Sequence, residues 1–405
     1  MLLTLVAAAA AHAQADLPSD AEVDRWMQGP EQHLPGWSVH VQPAVLTFEL
    51  RFAVAIKAYA SVHKAKLALH DLHVFVRVND EASQYVEKHH GAIRKIPGTA
   101  DVAVAETFYA KPGDYLVAFA VYDAINKTHG VWKKSVHVAG SHCLLPDYPQ
   151  ATPVEFIDPD APFAPTSLPS LPAVGNPQPL QVDIVLNLTE RKELELEPNW
   201  SLEASQQNFA TQSILSIART LAALPVNGCV RLSAIEATRA KVYLDRASTL
   251  DTAALLKTMQ TSRNVNQVDL HTLALRKTAS TFIKDFIDRT VKQSPACDTV
   301  VAGERVILLV SDSLMFPEHS SLDPVDWPPG VQVRTYLFRL TVPDMGELYD
   351  YLGVSRRMRL LRLSRYPDDQ VGTLLKPLDP HVFKITQPKD FQKALTTLMD
   401  DLKKK

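Results

Sequence analysis

The sequence predicts a multidomain fold: an N-terminal all-β sandwich followed by a C-terminal doubly wound α/β domain. Three observations carry that expectation. Period-two alternation runs through residues 31–140, prolines crowd residues 141–179, and from residue 180 apolar strands alternate with helical spacings. At 405 residues the chain exceeds one ordinary hydrophobic core. Apolar residues make up 46% and charged residues 21%, the balance of a folded protein. A formal net charge of -3 gives no long-range field for nucleic acid and argues against that class of partner.

The first residues, MLLTLVAAAAAHAQA, carry no charge before Asp16. Their apolar run is too short to span a bilayer but suits a signal-peptide core, and Ala13-Gln14-Ala15 reads as a small-x-small cleavage site. Residues 1–15 are therefore expected to be a signal peptide, and the chain to be exported to the periplasm, the cell surface or the medium. No Lys or Arg precedes the run, so a start further upstream, or a buried helix instead of a leader, are the alternatives. No later segment holds 18 uncharged apolar residues, so no membrane span is expected in the mature chain.

Within residues 31–140 the stretches 47–52, with the residues after it, and 73–78 alternate as strands with one buried face. "KPGDYLVAFAVYDAINKTHGVWKKSVHVAG" reads as a hairpin, with a turn at Lys111-Pro112-Gly113-Asp114 and a connection at Asn126-Lys127-Thr128-His129-Gly130. Several short strands in about 100 residues suggest an immunoglobulin-like sandwich in architecture. The Cys-Trp-Cys core of antibody domains is absent. His63, His70, His73, His89 and His90 fall on separate strands and loops, and read as scattered surface residues rather than a metal site. Ten prolines within residues 141–179 mark an extended linker.

From residue 180 the reading is strand 182–188, helix 205–224, strand 230–235 with 240–244 as its hairpin partner, helix 252–259 and helix 272–291. "RVILLV" at 305–310 is an unbroken apolar run, as expected for a central strand covered on both faces. A strand follows at 330–338, and a last helix opens at Thr386-Gln387-Pro388, with proline in its first turn. In such open sheets ligands bind beyond the carboxyl ends of the strands. Those ends are residues 187–191 after the first strand and Ser311-Asp312-Ser313 after "RVILLV", with the loop at His271-Thr272 on the same side.

Over residues 180–402 the chain resembles the von Willebrand factor type A family. The resemblance rests on element order, on "RVILLVSDS" for the family's apolar strand ending in Asp, on "GVQVRTYLF" and on "VFKITQPKDFQKALTTLMDDL". It makes 180–405 a von Willebrand factor A-like domain, similar to those of exported bacterial proteins with a sandwich beside a divergent copy. The family's adhesion site binds a divalent metal through Asp-x-Ser-x-Ser, a Thr from a later loop and an Asp after the fourth strand. Here Asn187, Thr189 and Arg191 stand in the first motif, with Thr272 and Asp312 in the other two places.

That set looks degenerate. Mg²⁺ wants hard oxygen ligands, including at least one or two carboxylates. Asn187 keeps an oxygen without the charge, and Arg191 adds a cation. At about 4 Å and an effective dielectric of about 20, a cation repels a dication by roughly 8 kcal/mol, an upper bound because a long side chain swings away. Arg191 reaching Asp312 in place of an ion is the simpler outcome. No cofactor is therefore expected, Mg²⁺ or Mn²⁺ being the exception to test. The expected role is non-catalytic protein–protein interaction with an unknown partner.

The rival reading is a hydrolase using Ser311, Asp312 and a nearby His, His271 or His319 by topology. Against an enzyme stands the lack of a G-x-S-x-G elbow, a Gly-rich phosphate loop or H-E-x-x-H. Arg356, Arg357, Arg359, Arg362 and Arg365 read either as an anion patch or as a solvated helix face. Three cysteines are too few for a disulfide scaffold. Cys229 and Cys297 precede the second and fourth strands of the domain; a structural disulfide between them and free thiols both fit. Cys143 in the linker would be left over.

Overall fold

The computed structural model describes residues 18–61, 72–80, 84–89, 102–139, 154–156, 171, 173–175, 178–189, 203–263, 278–292, 304–312, 314, 324–325, 333–340 and 370–404. The chain is mixed α and β and divides into two units. One holds Met1–Val45, Arg51–Ser141 and Thr152–Asp160; the other holds Leu46–Leu50, His142–Ala151 and Ala161–Lys405.

The first unit is built from two antiparallel sheets. One runs β1 (Trp37–Val41), β3 (Phe52–Ala60), β6 (Val102–Ala110), β9 (Val154–Phe156), with β2 (Val45–Leu46) also on β3. The other runs β5 (Gln84–His89), β4 (Leu72–Asn79), β7 (Gly113–Asp123), β8 (Thr128–Val138). Val54, Ile56 and Ala58 of the first sheet share a buried core with Val74, Val76, Val117 and Phe119 of the second. The hairpin β7–β8 forms as its turn residues dictate, in register from Gly113↔Val138 to Asp123↔Thr128.

Helix α1 (Asp20–Gln28) was not anticipated, and it explains a second surprise. The Glu22 carboxylate accepts hydrogen bonds from Ser19 N–H and Oγ–H, which closes the helix start. Val23 and Met27, four residues apart, bury against Phe75, Ala118, Ala120 and Tyr122, and Trp26 stacks on His129 with centroids 4.2 Å apart. The alternation in β4 implied one wet face; the helix covers that face, so Leu72–Val78 is buried throughout. Arg77 is fully buried because Asp24 of α1 pairs with it. His73 is likewise buried rather than on the surface, packed near Tyr122. His63, His70 and His90 lie outside the described residues, as does the leader at 1–15.

Two boundaries differ from the sequence reading. The expected linker contributes β9, which pairs antiparallel with β6 and is pinned by the Arg51–Glu155 ion pair. It also contributes Leu171 and Val174 to the core of the second unit, where Val174 bridges Val226. Proline density there limits regular structure without forbidding short pairings between prolines. The expected strand 47–52 is a turn until Phe52: Leu50 has φ 58, and its N–H donates to the Thr47 carbonyl at 2.9 Å.

The second unit is a six-stranded sheet ordered β12 (Lys241–Ala247), β11 (Gly228–Glu236), β10 (Leu180–Asn187), β13 (Glu304–Asp312), β14 (Val333–Leu340), β15 (His381–Ile385). All pairs are parallel except β11–β12. β10 is buried along its whole length, as an apolar run in a doubly covered sheet must be. Helices α2 (Glu203–Ala222), α3 (Thr252–Arg263) and α6 (Pro388–Lys403) supply the core on one face. Helices α4 (Ala279–Lys292) and α5 (Gln370–Leu375) supply it on the other. Gly228 opens β11 at φ 143, where a Cβ would sit 2.0 Å from the Leu180 carbonyl oxygen, so no other residue fits without displacing β10. The edge strand β15 and the short α5 were missed, since five and six residues carry too little periodicity. The start expected at residue 272 and the arginine segment 356–365 lie outside the described residues.

Candidate functional site

Numbered one to six in chain order, the strands of the second unit run 3-2-1-4-5-6. The order reverses between β10 and β13, whose carboxyl ends define the crevice where sheets of this type bind ligands. Asn187 and Ser311 stand side by side there, in register across the two strands.

Four of the candidate residues meet at this point, all buried: Asn187 at 1% exposure, Thr189 at 4%, Ser311 at 0% and Asp312 at 4%. Asn187 Nδ2 donates to Ser311 Oγ at 3.0 Å, and Ser311 Oγ donates onward to the Asp312 carbonyl at 2.8 Å. Asn187 Oδ1 accepts twice from Thr189, from the backbone N–H at 3.2 Å and from Oγ1 at 2.6 Å. Thr189 Oγ1 in turn accepts the Ala237 N–H at 2.8 Å. This chain of bonds explains why the strand can stop abruptly. An Asx-type turn closes on its own side chain and ties the end of β10 to the residue that follows β11.

The same bonds limit the chemistry. An amide oxygen has two acceptor directions, and Thr189 takes both on Asn187. The Ser311 hydroxyl gives its proton to a backbone carbonyl and lies out of solvent, which is not how an attacking oxygen is held. Among the described residues no group of three or more His, Cys, Asp or Glu side chains is arranged to hold a metal ion. Arg191 and Thr272 lie outside the described residues, as do His271 and His319, and with Arg191 the expected Arg191–Asp312 pairing.

The sequence reading overlooked the third strand end. Glu236 closes β11 with its side chain wholly buried, paired with Arg239 and hydrogen-bonded by the Tyr243 hydroxyl. Lys241 lies over the Tyr243 ring, 5.1 Å from its centroid, and donates to Ser262 Oγ at 3.0 Å. A charged residue at the end of an apolar strand, with Arg three and Tyr seven residues on, was the available signal.

Cys229, at the opposite end of β11, is disulfide-bonded. With three cysteines in the chain its partner is Cys143 or Cys297, and both lie outside the described residues. No helix of the described residues is long and apolar enough to cross a membrane.

No protein-family model matches the chain, and no curated protein matches it. Among solved structures, a family 123 glycoside hydrolase from Clostridium perfringens aligns at 7% identity, covering 86% of this chain and 72% of that one. The TM-score of 0.25 is too low for that similarity to carry fold or activity across.

Proposed function

We propose that this is an exported, non-catalytic binding protein. In this reading its second unit is von Willebrand factor A-like and engages a protein partner at the strand ends without a bound metal. Its first unit is an immunoglobulin-like sandwich. The observation that carries the reading is Asn187 at the switch point, with its side-chain oxygen occupied by two Thr189 donors where a metal-binding relative would offer a carboxylate. The strand order 3-2-1-4-5-6 with one antiparallel edge supports the family assignment. For the sandwich, support comes from the two sheet orders and from Tyr115, near the start of β7, whose hydroxyl donates to the Lys111 carbonyl at 2.9 Å in the manner of a tyrosine corner. A disulfide at Cys229 supports an oxidising compartment, and with it export.

The test is a thermal melt of the full chain in EDTA and then in excess Mg²⁺ or Mn²⁺. A ligand bound only by the folded state at 100 times its dissociation constant adds about 2.7 kcal/mol, a visible shift. The metal-free reading expects no movement. A shift that Asp312→Ala removes would overturn it. The hydrolase alternative would return if an ester or amide reporter were turned over and Ser311→Ala abolished the turnover.

A further inference from the structure

Five residues of the second unit come from far earlier in the chain than the rest of it, Leu46–Leu50. Their turn presents three side chains in a row to the helices α2 and α6. Phe48 and Leu50 belong to the apolar core that Ile214, Ala218 and Leu221 of α2 share with Phe391, Leu395 and Leu398 of α6. The Phe48 ring lies 6.4 Å from that of Phe391, and the Phe48 carbonyl accepts Thr220 Oγ1 at 3.3 Å. Between the two apolar residues, the Glu49 carboxylate accepts Arg219 Nη1 at 2.7 Å, with side chains only 4% and 8% exposed.

A segment that merely filled space would need no charge. Well-packed apolar residues are often as stabilising as a buried ion pair, and in some systems what such a pair adds is discrimination. A buried guanidinium binds a carboxylate at one place more tightly than a neutral amide, whose hydrogen bond carries no charge on the acceptor, and an apolar residue there leaves the cation unpaired. The helices thus supply an aromatic seat, a leucine seat and a charge between them, which is the anatomy of a short-peptide site. We propose that the α2–α6 face of the second unit is a recognition site for an aromatic–glutamate–leucine turn, filled in cis by Phe48-Glu49-Leu50. This site is independent of the strand-end crevice. A tethered segment acts at an effective concentration on the order of millimolar, so the intact chain keeps the site closed to outside peptides. Loss of the segment's own contacts opens it.

The test uses the full chain and a fluorescein-labelled peptide, AVLTFELRF, matching residues 44–52. Fluorescence anisotropy should show saturable binding to the doubly substituted Phe48→Ser, Glu49→Ala chain. Binding to the unsubstituted chain should be at least tenfold weaker, as should binding of a peptide carrying Gln in place of Glu. Arg219→Ala on the doubly substituted background should remove the preference for Glu. Should the double variant not fold by circular dichroism, the shape-preserving Glu49→Gln chain takes its place with the same readout. Peptide binding that is absent from the folded variant, equal in the unsubstituted chain, or indifferent to the Glu overturns the proposal.

Discussion

Thr189→Val isolates what the strand-end network contributes. Valine keeps the shape of threonine and deletes one hydroxyl. That hydroxyl donates to Asn187 Oδ1 at 2.6 Å and accepts the Ala237 N–H at 2.8 Å, in a site where Thr189 is 4% exposed. Removing it leaves the Ala237 N–H facing an apolar methyl, which costs about 2 kcal/mol for an orphaned buried donor. Asn187 Oδ1 keeps the Thr189 backbone N–H, so its loss is one ordinary net bond, about 1 kcal/mol. The sum is about 3 kcal/mol. Urea unfolding followed by far-UV circular dichroism should show the midpoint of the second unit's transition fall with its slope unchanged. Thr189→Ser keeps the hydroxyl and should lose less than about 1 kcal/mol. If the Val and Ser variants fall equally, or Val by under about 0.5 kcal/mol, the network does not hold the strand end and the case against a ligating Asn187 loses its basis.

Other consequences follow from named contacts. Glu49→Ala takes the carboxylate away from the buried Arg219 and should destabilise by about 3–5 kcal/mol, while Arg219→Met with Glu49→Leu should recover most of it; a double-variant loss equal to the sum of the two single losses would show the pair is not coupled. Burial works against the Asp390 carboxylate, but hydrogen bonds from Thr386 and Gln387 outweigh it and hold the group below its ordinary 3.8. Its contribution is therefore present above pH 3.8 and lost as pH falls through the folded value, and Asp390→Asn should cost about 1 kcal/mol at pH 7 and nothing extra once both states are protonated. Asp183 runs the other way. Burial raises its carboxyl despite the Arg305 guanidinium at 3.2 Å, so the wild type should gain on Asp183→Asn as pH falls toward 3.8, and a wild type that loses ground on the variant over that range would refute burial as the dominant cause. Cys229→Ala should cost roughly 2–4 kcal/mol, and peptide mapping without reductant should recover Cys229 cross-linked; a free thiol there would contradict the structure.

Legibility followed the strength of local pattern. β10, β13 and α6 were readable because an unbroken apolar run and a full helical stripe each leave one low-energy arrangement. β15 and α5 are too short to carry a clear period, and α1 at Asp20–Gln28 has only two buried apolar residues, Val23 and Met27, to mark its face. The strand ends could be placed once the strands were. The spacing of Arg239 and Tyr243 from Glu236 is visible in the sequence, but its burial is not, since a carboxylate at a strand end reads alike whether it faces water or that pair.

The sequence by itself determined the longer strands and helices of the second unit, β15 and α5 excepted, and that Asn187, Ser311 and Asp312 come at strand ends. Those outcomes depend on hydrophobic periodicity, a property of neighbouring residues. Only the tertiary structure decided that the Asn187 amide donates to Ser311 and that Thr189 Oγ1 accepts the Ala237 N–H, because Ser311 comes beside Asn187 only when β10 and β13 pair, and Ala237 beside Thr189 only when β10 and β11 pair. It likewise decided that the alternation at 47–50 belongs to a turn and not a strand. Phe48 and Leu50 are apolar and Glu49 is charged in either case, and the difference lies in Arg219, 170 residues away, which no local pattern can see.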